Sequence, residues 1–106
     1  MEIIYKKQAE ICKTLANGRR LKIIHILKKG EHGAGELLKK MDISKSNLSQ
    51  HMSVLVKNSV VVSRRSGKRV YYKIRDRRII KACQLMREVL LKNLERENKI
   101  LKDLKH

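Results

Sequence analysis

The 106-residue sequence contains no proline, no tryptophan and no phenylalanine, and its three aromatic residues are all tyrosine. Without aromatic bulk, a core has to be assembled from Ile, Leu and Val; without proline, no Pro-rich linker divides the chain. Cysteine is scarce as well. Cys12 and Cys83 are too few and too far apart in sequence for a disulfide framework, which fits a reducing compartment. No window approaches the ~18 consecutive apolar residues of a membrane span. The segment Met1-Glu2-Ile3-Ile4-Tyr5-Lys6-Lys7 lacks the apolar region and small-residue cleavage site of a secretory leader. A cytoplasmic protein with no membrane partner is therefore expected. Acid is the remaining shortage: ten Asp and Glu stand against 27 Lys and Arg, a net charge of +17 with a pI near 10.4. A polyanionic partner is implied.

The length argues for one domain over residues 1–106, since a chain of this size buries ~65% of its unfolded surface, and against a two-domain enzyme. Helical periodicity predicts a first helix over Ile3–Ala16, with Ile4, Ile11 and Leu15 on one row and Tyr5, Ala9, Cys12 and Ala16 on the next. Asn17 is placed to cap a second helix carrying Leu21, Ile23, Ile24, Ile26 and Leu27, which Gly30 closes. Gly30–Gly35 is expected to be a loop, with a short third helix over Glu36–Met41 ending near Asp42. Ser44 should cap a fourth helix over Lys45–Lys57, whose Leu48, Met52 and Leu55 share a face. Val60–Ser63 and Arg69–Ile74 are β-branched and aromatic runs, a hairpin with its turn expected at Ser66-Gly67. From Asp76 onward Ile79, Cys83, Met86, Leu90 and Leu94 alternate steps of four and three, and Leu101 and Leu104 continue the register. So long a stripe exceeds what a small core covers, and part of it should meet a partner chain.

The fold class that follows is mainly helical with a small β-hairpin, in the order α-α-α-α-β-β-α. A short turn between the third and fourth helices and a two-stranded wing after them define a winged helix-turn-helix. Between Ser63 and Arg78 the basic residues Arg64, Arg65, Lys68, Arg69, Lys73, Arg75, Arg77 and Arg78 outweigh the single acid Asp76. Like charges crowded on a hairpin repel unless an anion neutralises them, so the wing suits phosphate or the minor groove. The fourth helix offers Lys45, Ser46, Asn47, Ser49, Gln50 and His51 after its cap Ser44. Asn and Gln pair bidentately with adenine, Ser serves several base edges, and the helix start attracts phosphate. Ser44, Lys45, Ser46, Asn47, Ser49, Gln50 and His51, together with Arg64, Arg65, Lys68 and Arg69, are the candidate contacts to double-stranded DNA.

Asn17-Gly18-Arg19-Arg20-Leu21-Lys22-Ile23-Ile24, Gly35-Glu36-Leu37, Leu48-Ser49-Gln50-His51-Met52-Ser53-Val54-Leu55 and Arg64-Arg65-Ser66-Gly67-Lys68-Arg69-Val70-Tyr71-Tyr72 together resemble the ArsR/SmtB family of repressors. The resemblance spans about residues 8 to 95. It implies a homodimer joined through its first and last helices, released from operator DNA by a small-molecule, metalloid or oxidant inducer. The departures narrow the inducer. Where arsenite- or cadmium-sensing members carry Cys-x-Cys, this chain has Gly33-Ala34-Gly35. Where others bind zinc, cobalt or nickel through Asp-x-His and His-x-x-His, it has Asp76-Arg77-Arg78, then Val89 and Lys92. No metal site or cofactor is expected, and Asp76 reads as an N-cap or ion pair. Members that pair a cysteine of the second helix with one of the last are not matched either, since His25 stands at about that place. The family's usual glycine is replaced around Asn58-Ser59, where Asn58 is the residue expected to tolerate a left-handed backbone.

Cys12 and Cys83 are the candidate inducer-sensing residues. The first reading open for them is small buried hydrophobes, then a redox or persulfide pair with the Cys83 thiolate favoured by Arg87, then two ligands of a metalloid site shared by a dimer. Enzyme readings find no footing: Gly30, Gly33 and Gly35 match no phosphate loop, and no nucleophile is paired with a base. His25 is expected half-buried in the core and His32 in a loop, while His106 carries no signal. Two other classes remain open. The charge alone would serve a non-sensing architectural nucleic-acid-binding protein, though helix-turn-helix order disfavours RNA. Lys92–Lys105 has the pattern of a basic amphipathic helix on a membrane surface, without the Trp or Phe usual there.

Overall fold

A computed structural model describes residues 1–105, so His106 lies outside the described residues. The elements are α1 (Glu2–Leu15), α2 (Gly18–Leu27), β1 (His32–Gly33), α3 (Ala34–Lys40), α4 (Lys45–Lys57), β2 (Val61–Ser66), β3 (Arg69–Ile74) and α5 (Arg78–Leu104). The five helices fall where the hydrophobic period places them. Asn17 caps α2 as expected, its Oδ1 accepting the Arg19 and Arg20 N–H groups at 3.1 Å each. Arg20 then donates its Nε to the Thr14 carbonyl at 2.7 Å. A carbonyl left open at the end of α1 is thereby satisfied, and the α1–α2 corner is fixed.

The core is aliphatic. Ile23, Ile24 and Leu27 of α2, Leu37 of α3, Leu48, Met52 and Leu55 of α4, and Val61 and Ile74 of the hairpin are all buried. Each such side chain contributes ~1.5–3 kcal/mol by leaving water. Packed against α1, α4, α5 and β3 together, α2 is the centre of the assembly.

Between Gly30 and Gly35 the structure differs from the expected loop. His32 and Gly33 form β1, which pairs antiparallel with β3 (His32 to Tyr72, Gly33 to Tyr71) and makes a three-stranded sheet of order β1-β3-β2. A two-residue strand has no alternation to reveal it; its partner strand selects it. α3 begins at Ala34 rather than Glu36, because the Glu36 carboxylate reaches back to accept the Gly33 N–H at 3.0 Å. Gly33 sits against Tyr71: a Cβ there would lie 3.5 Å from the ring, at ordinary van der Waals contact. His32 is buried in the sheet and not in a loop. Its Nδ1 lies 2.8 Å from the Gly30 carbonyl and its Nε2 3.2 Å from the Lys40 ammonium. A carbonyl only accepts and an ammonium only donates, so the ring carries its proton on Nδ1. His25, expected half-buried, is exposed on α2.

Two turns also differ. Ser66 pairs with Arg69, which puts Gly67 and Lys68, not Ser66 and Gly67, at the hairpin tip. Gly67 has φ +61° and Lys68 does not share the positive sign, the pattern of a II′ turn. After α4 the left-handed residue is Ser59 at φ +61°, while Asn58 stays at −94° and donates its Nδ2 to the Val54 carbonyl. Further on, Asp76 makes the expected ion pair, 2.6 Å from Arg78, and accepts the Arg78 N–H at 3.0 Å. The arginine beside it holds its carboxyl down to about 2. From this start α5 runs 27 residues, ~40 Å. Ile80 is its buried residue, and Ile79 and Cys83 pack on the core.

Candidate nucleic-acid interface

α3 and α4 are joined by residues 41–44, with Met41 buried, Ile43 half-buried and Ser44 at the cap. The Ser44 hydroxyl accepts the Asn47 N–H at 3.1 Å, so its first duty is local. Burial of Leu48, Met52 and Leu55 fixes the rotation of α4 about its axis. Lys45, Ser46, Ser49 and Gln50 are consequently exposed on the outer face, and Asn47 and His51 are half-buried on the flank. Half-burial, and then the charges of Arg20 and Arg19, keep the His51 imidazole below its ordinary 6.5. His51 is accordingly a neutral hydrogen-bonding group at neutral pH.

The wing stands beside this face. Met52, Ser53, Val56 and Lys57 of α4 and Ser63 and Tyr72 of the hairpin line one open groove. Ser53 and Lys57 prolong the exposed row of Ser46 and Gln50 at helical spacing. Sequence reasoning stopped at His51, although the same period would have carried it on. At the tip, Arg65, Lys68 and Arg69 are exposed and free of ion pairs among the described residues.

Arg64 is different. Its guanidinium grips Glu31 with three hydrogen bonds of 2.6–3.1 Å and lies 4.4 Å over the centre of the Tyr71 ring. The hydrogen bonds from Arg64 hold the Glu31 carboxyl below its ordinary range. Arg64 was expected among the phosphate-binding charges; the structure gives that charge a partner within the chain. Alternation explains it: Arg64 and Arg65 point to opposite faces of β2. Glu31 and Tyr71 escaped sequence reasoning because Glu31 lies 33 residues from its partner.

The two thiols are free and unlike one another. Cys12 is exposed on α1, while Cys83 is half-buried against the core. Burial pushes the Cys83 thiol up, the reverse of the thiolate expected from Arg87. Among the described residues no group of three or more His, Cys, Asp or Glu is placed to hold a metal ion, and no helix is long and apolar enough to cross a membrane.

A short helix, a tight turn, a second helix with an open polar face and a basic hairpin beside it constitute a winged helix-turn-helix, a DNA-reading architecture. Residues 17–61 match the arsR family of bacterial regulatory proteins. An HTH-type transcriptional regulator of Mycobacterium tuberculosis, Rv0081, is 36% identical over 105 residues, covering 98% of this chain and 92% of the relative. The crystal structure of that protein superposes with a TM-score of 0.80, covering 89% of this chain and 95% of that one. The arsenical resistance operon repressor of Staphylococcus aureus is 37% identical over 70 residues, 66% of this chain and 67% of the repressor. The homodimeric winged helix-turn-helix DNA-binding domain of Mb0332 from Mycobacterium bovis superposes with a TM-score of 0.80 at 28% identity, covering 90% of this chain and 88% of that one. The chain belongs to the ArsR family. It is a DNA-binding transcriptional regulator and not an enzyme, which sets aside the architectural protein that net charge alone would allow.

Proposed function

We propose that the chain is a repressor that binds double-stranded operator DNA as a homodimer, with α4 in the major groove and the wing on the flanking backbone. The observation that carries this reading is the shared groove between the polar face of α4 and the basic hairpin. Ser46, Asn47, Ser49 and Gln50 read base edges, Lys45, Arg65, Lys68 and Arg69 hold phosphates, His51 donates a hydrogen bond, and Ser44 orders the helix start. Residues 1–106 act as one DNA-binding unit whose last helix dimerises. Support for the dimer comes from the apolar residues left exposed on α1 and α5, among them Ile4, Ile11, Met86, Leu90 and Leu94, and from the homodimeric neighbour. A cytoplasmic location follows from this role.

Release by an inducer is part of the same proposal, with Cys12 and Cys83 as the sensing thiols. What favours them is their placement: Cys12 is open on α1 and Cys83 lies in the seam between α5 and the core, so modification of either changes the packing of a dimerising helix. The test is binding of the chain to its own upstream DNA against random duplex. It is repeated after persulfide, peroxide or arsenite treatment of the wild type, Cys12→Ser and Cys83→Ser. Specific binding by a dimer supports the reading; a monomer by sedimentation at micromolar concentration, or equal affinity for every sequence, overturns it. If the wild type and both cysteine variants respond identically to every treatment, the thiols are structural.

A further inference from the structure

Glu31, Tyr71 and Arg64 lie side by side across the outer face of the sheet. Glu31 immediately precedes β1, Tyr71 is on the central strand β3, and Arg64 is on β2. Arg64 and Tyr71 are register partners, as are Gly33 and Tyr71. The Arg64 guanidinium crosses the Tyr71 ring at 4.4 Å and ends in a bidentate grip on the Glu31 carboxylate. One side chain thus spans all three strands at the place where the wing leaves the body. Beyond that line β1 has no further residues, and the outer part of the hairpin, 65–70, pairs only with itself.

In a chain with 27 cationic side chains, a carboxylate held against the wing lowers the charge available to a polyanion. Attraction alone would favour its absence, so its use lies elsewhere. A two-stranded ribbon twists and swings about its root. The planar guanidinium fork, stacked on a ring and closed by a carboxylate, restrains that swing in a way a single point charge would not.

We propose that Glu31 is a positioning residue for DNA binding, which straps the wing through Arg64 and Tyr71 to the strand beside α3 and sets the angle at which Arg65, Lys68 and Arg69 meet the duplex. This rests on the DNA-binding reading given above. Glu31→Gln separates positioning from electrostatics by sign. The variant gains one unit of positive charge per protomer, so attraction alone tightens binding to all DNA. A loosened wing instead weakens the cognate complex, by up to about fivefold per wing, while binding to random duplex holds or strengthens.

The experiment has two arms. Without DNA, amide hydrogen exchange is followed through residues 63–72 in the wild type, Glu31→Gln and Glu88→Gln. The last makes the same charge change on the exposed side of α5, away from its apolar stripe. Faster wing exchange in Glu31→Gln alone is the expected result; exchange unchanged from the wild type overturns the strap whatever the chain binds. With DNA, cognate and random duplexes are titrated for the same three proteins. Loss confined to the cognate site in Glu31→Gln supports the proposal, and equal tightening on both duplexes in the two variants overturns it. Failure of the wild type to bind any duplex would sink the DNA-binding reading instead, and the exchange arm would still decide whether Glu31 restrains the wing.

Discussion

Arg64 and Arg65 are neighbours of identical chemistry, yet their replacement by alanine should alter the salt dependence of DNA binding differently. Among the described residues, the exposed cations free of ion pairs on α4's first turn and the wing tip are Lys45, Arg65, Lys68 and Arg69, four per protomer and eight in a dimer. At ~0.9 per neutralised phosphate the slope of log affinity against log salt is about −7, so affinity falls ~10⁴-fold between about 50 and 200 mM salt. Arg65→Ala removes two contacts from the dimer. Its slope should flatten by ~1.8, and the loss over the same range should shrink to ~10³-fold. Arg64→Ala should flatten the slope far less, because a guanidinium held by Glu31 at 2.6 Å contacts no phosphate. What it should lose is cognate affinity at every salt concentration, through a wing less well aimed. Fluorescence anisotropy on a labelled upstream duplex gives both slopes. Equal flattening by the two variants would mean that Arg64 leaves Glu31 for phosphate and that the division of charge across β2 is wrong.

Gln50→Ala and Asn47→Ala should each cost ~1–3 kcal/mol on the cognate duplex and little on random DNA, measured in parallel titrations. Ser59→Gly should raise the urea midpoint, with a gain of ~1 kcal/mol, since an L side chain at φ +61° is strained where glycine is not. Stability should fall as pH drops through 6.5. The His51 proton binds the unfolded chain more tightly than the folded one, so the unfolded state takes up more protons there. His25, held down chiefly by Lys28, adds in the same direction. The thermal midpoint should decline from about pH 7.5 to about pH 5.5, and His51→Gln should lessen the decline; an unchanged decline would remove His51 as its source.

What the sequence made legible are features written in one local period. Leu48, Met52 and Leu55 recur at helical spacing, so α4 and its open face could be placed. Asn17 and Ser44 act within three residues of themselves, so their caps could be named. The hairpin announced itself through Val60–Val62 and Val70–Ile74. Features that depend on distant pairing were hidden. β1 exists because β3 offers hydrogen bonds 40 residues away, and the Arg64 charge is quenched by a glutamate that no local pattern links to it. The left-handed turn residue was off by one because asparagine has the better intrinsic tolerance, while Asn58 closes the end of α4 at negative φ with its side chain on the Val54 carbonyl. Burial separates two cysteines that the sequence pattern treats alike. Cys83 shares the stripe that meets the core, whereas Cys12 belongs to a face of α1 that this protomer does not cover.

The position of α2 has a mechanical consequence. Ile23, Ile24 and Leu27 have essentially no exposed surface, and the helix touches α1, α4, α5 and β3. A close-packed aliphatic interior has little slack and conveys a small displacement rather than absorbing it. In the proposed dimer α2 would stand as an axle between the helices that join two protomers and the helix that enters DNA. In that dimer a rotation imposed at one end would arrive at the other as a change in the spacing of the two α4 helices. Trimming Ile23 to alanine would therefore do more than destabilise the fold: it would introduce backlash into that coupling.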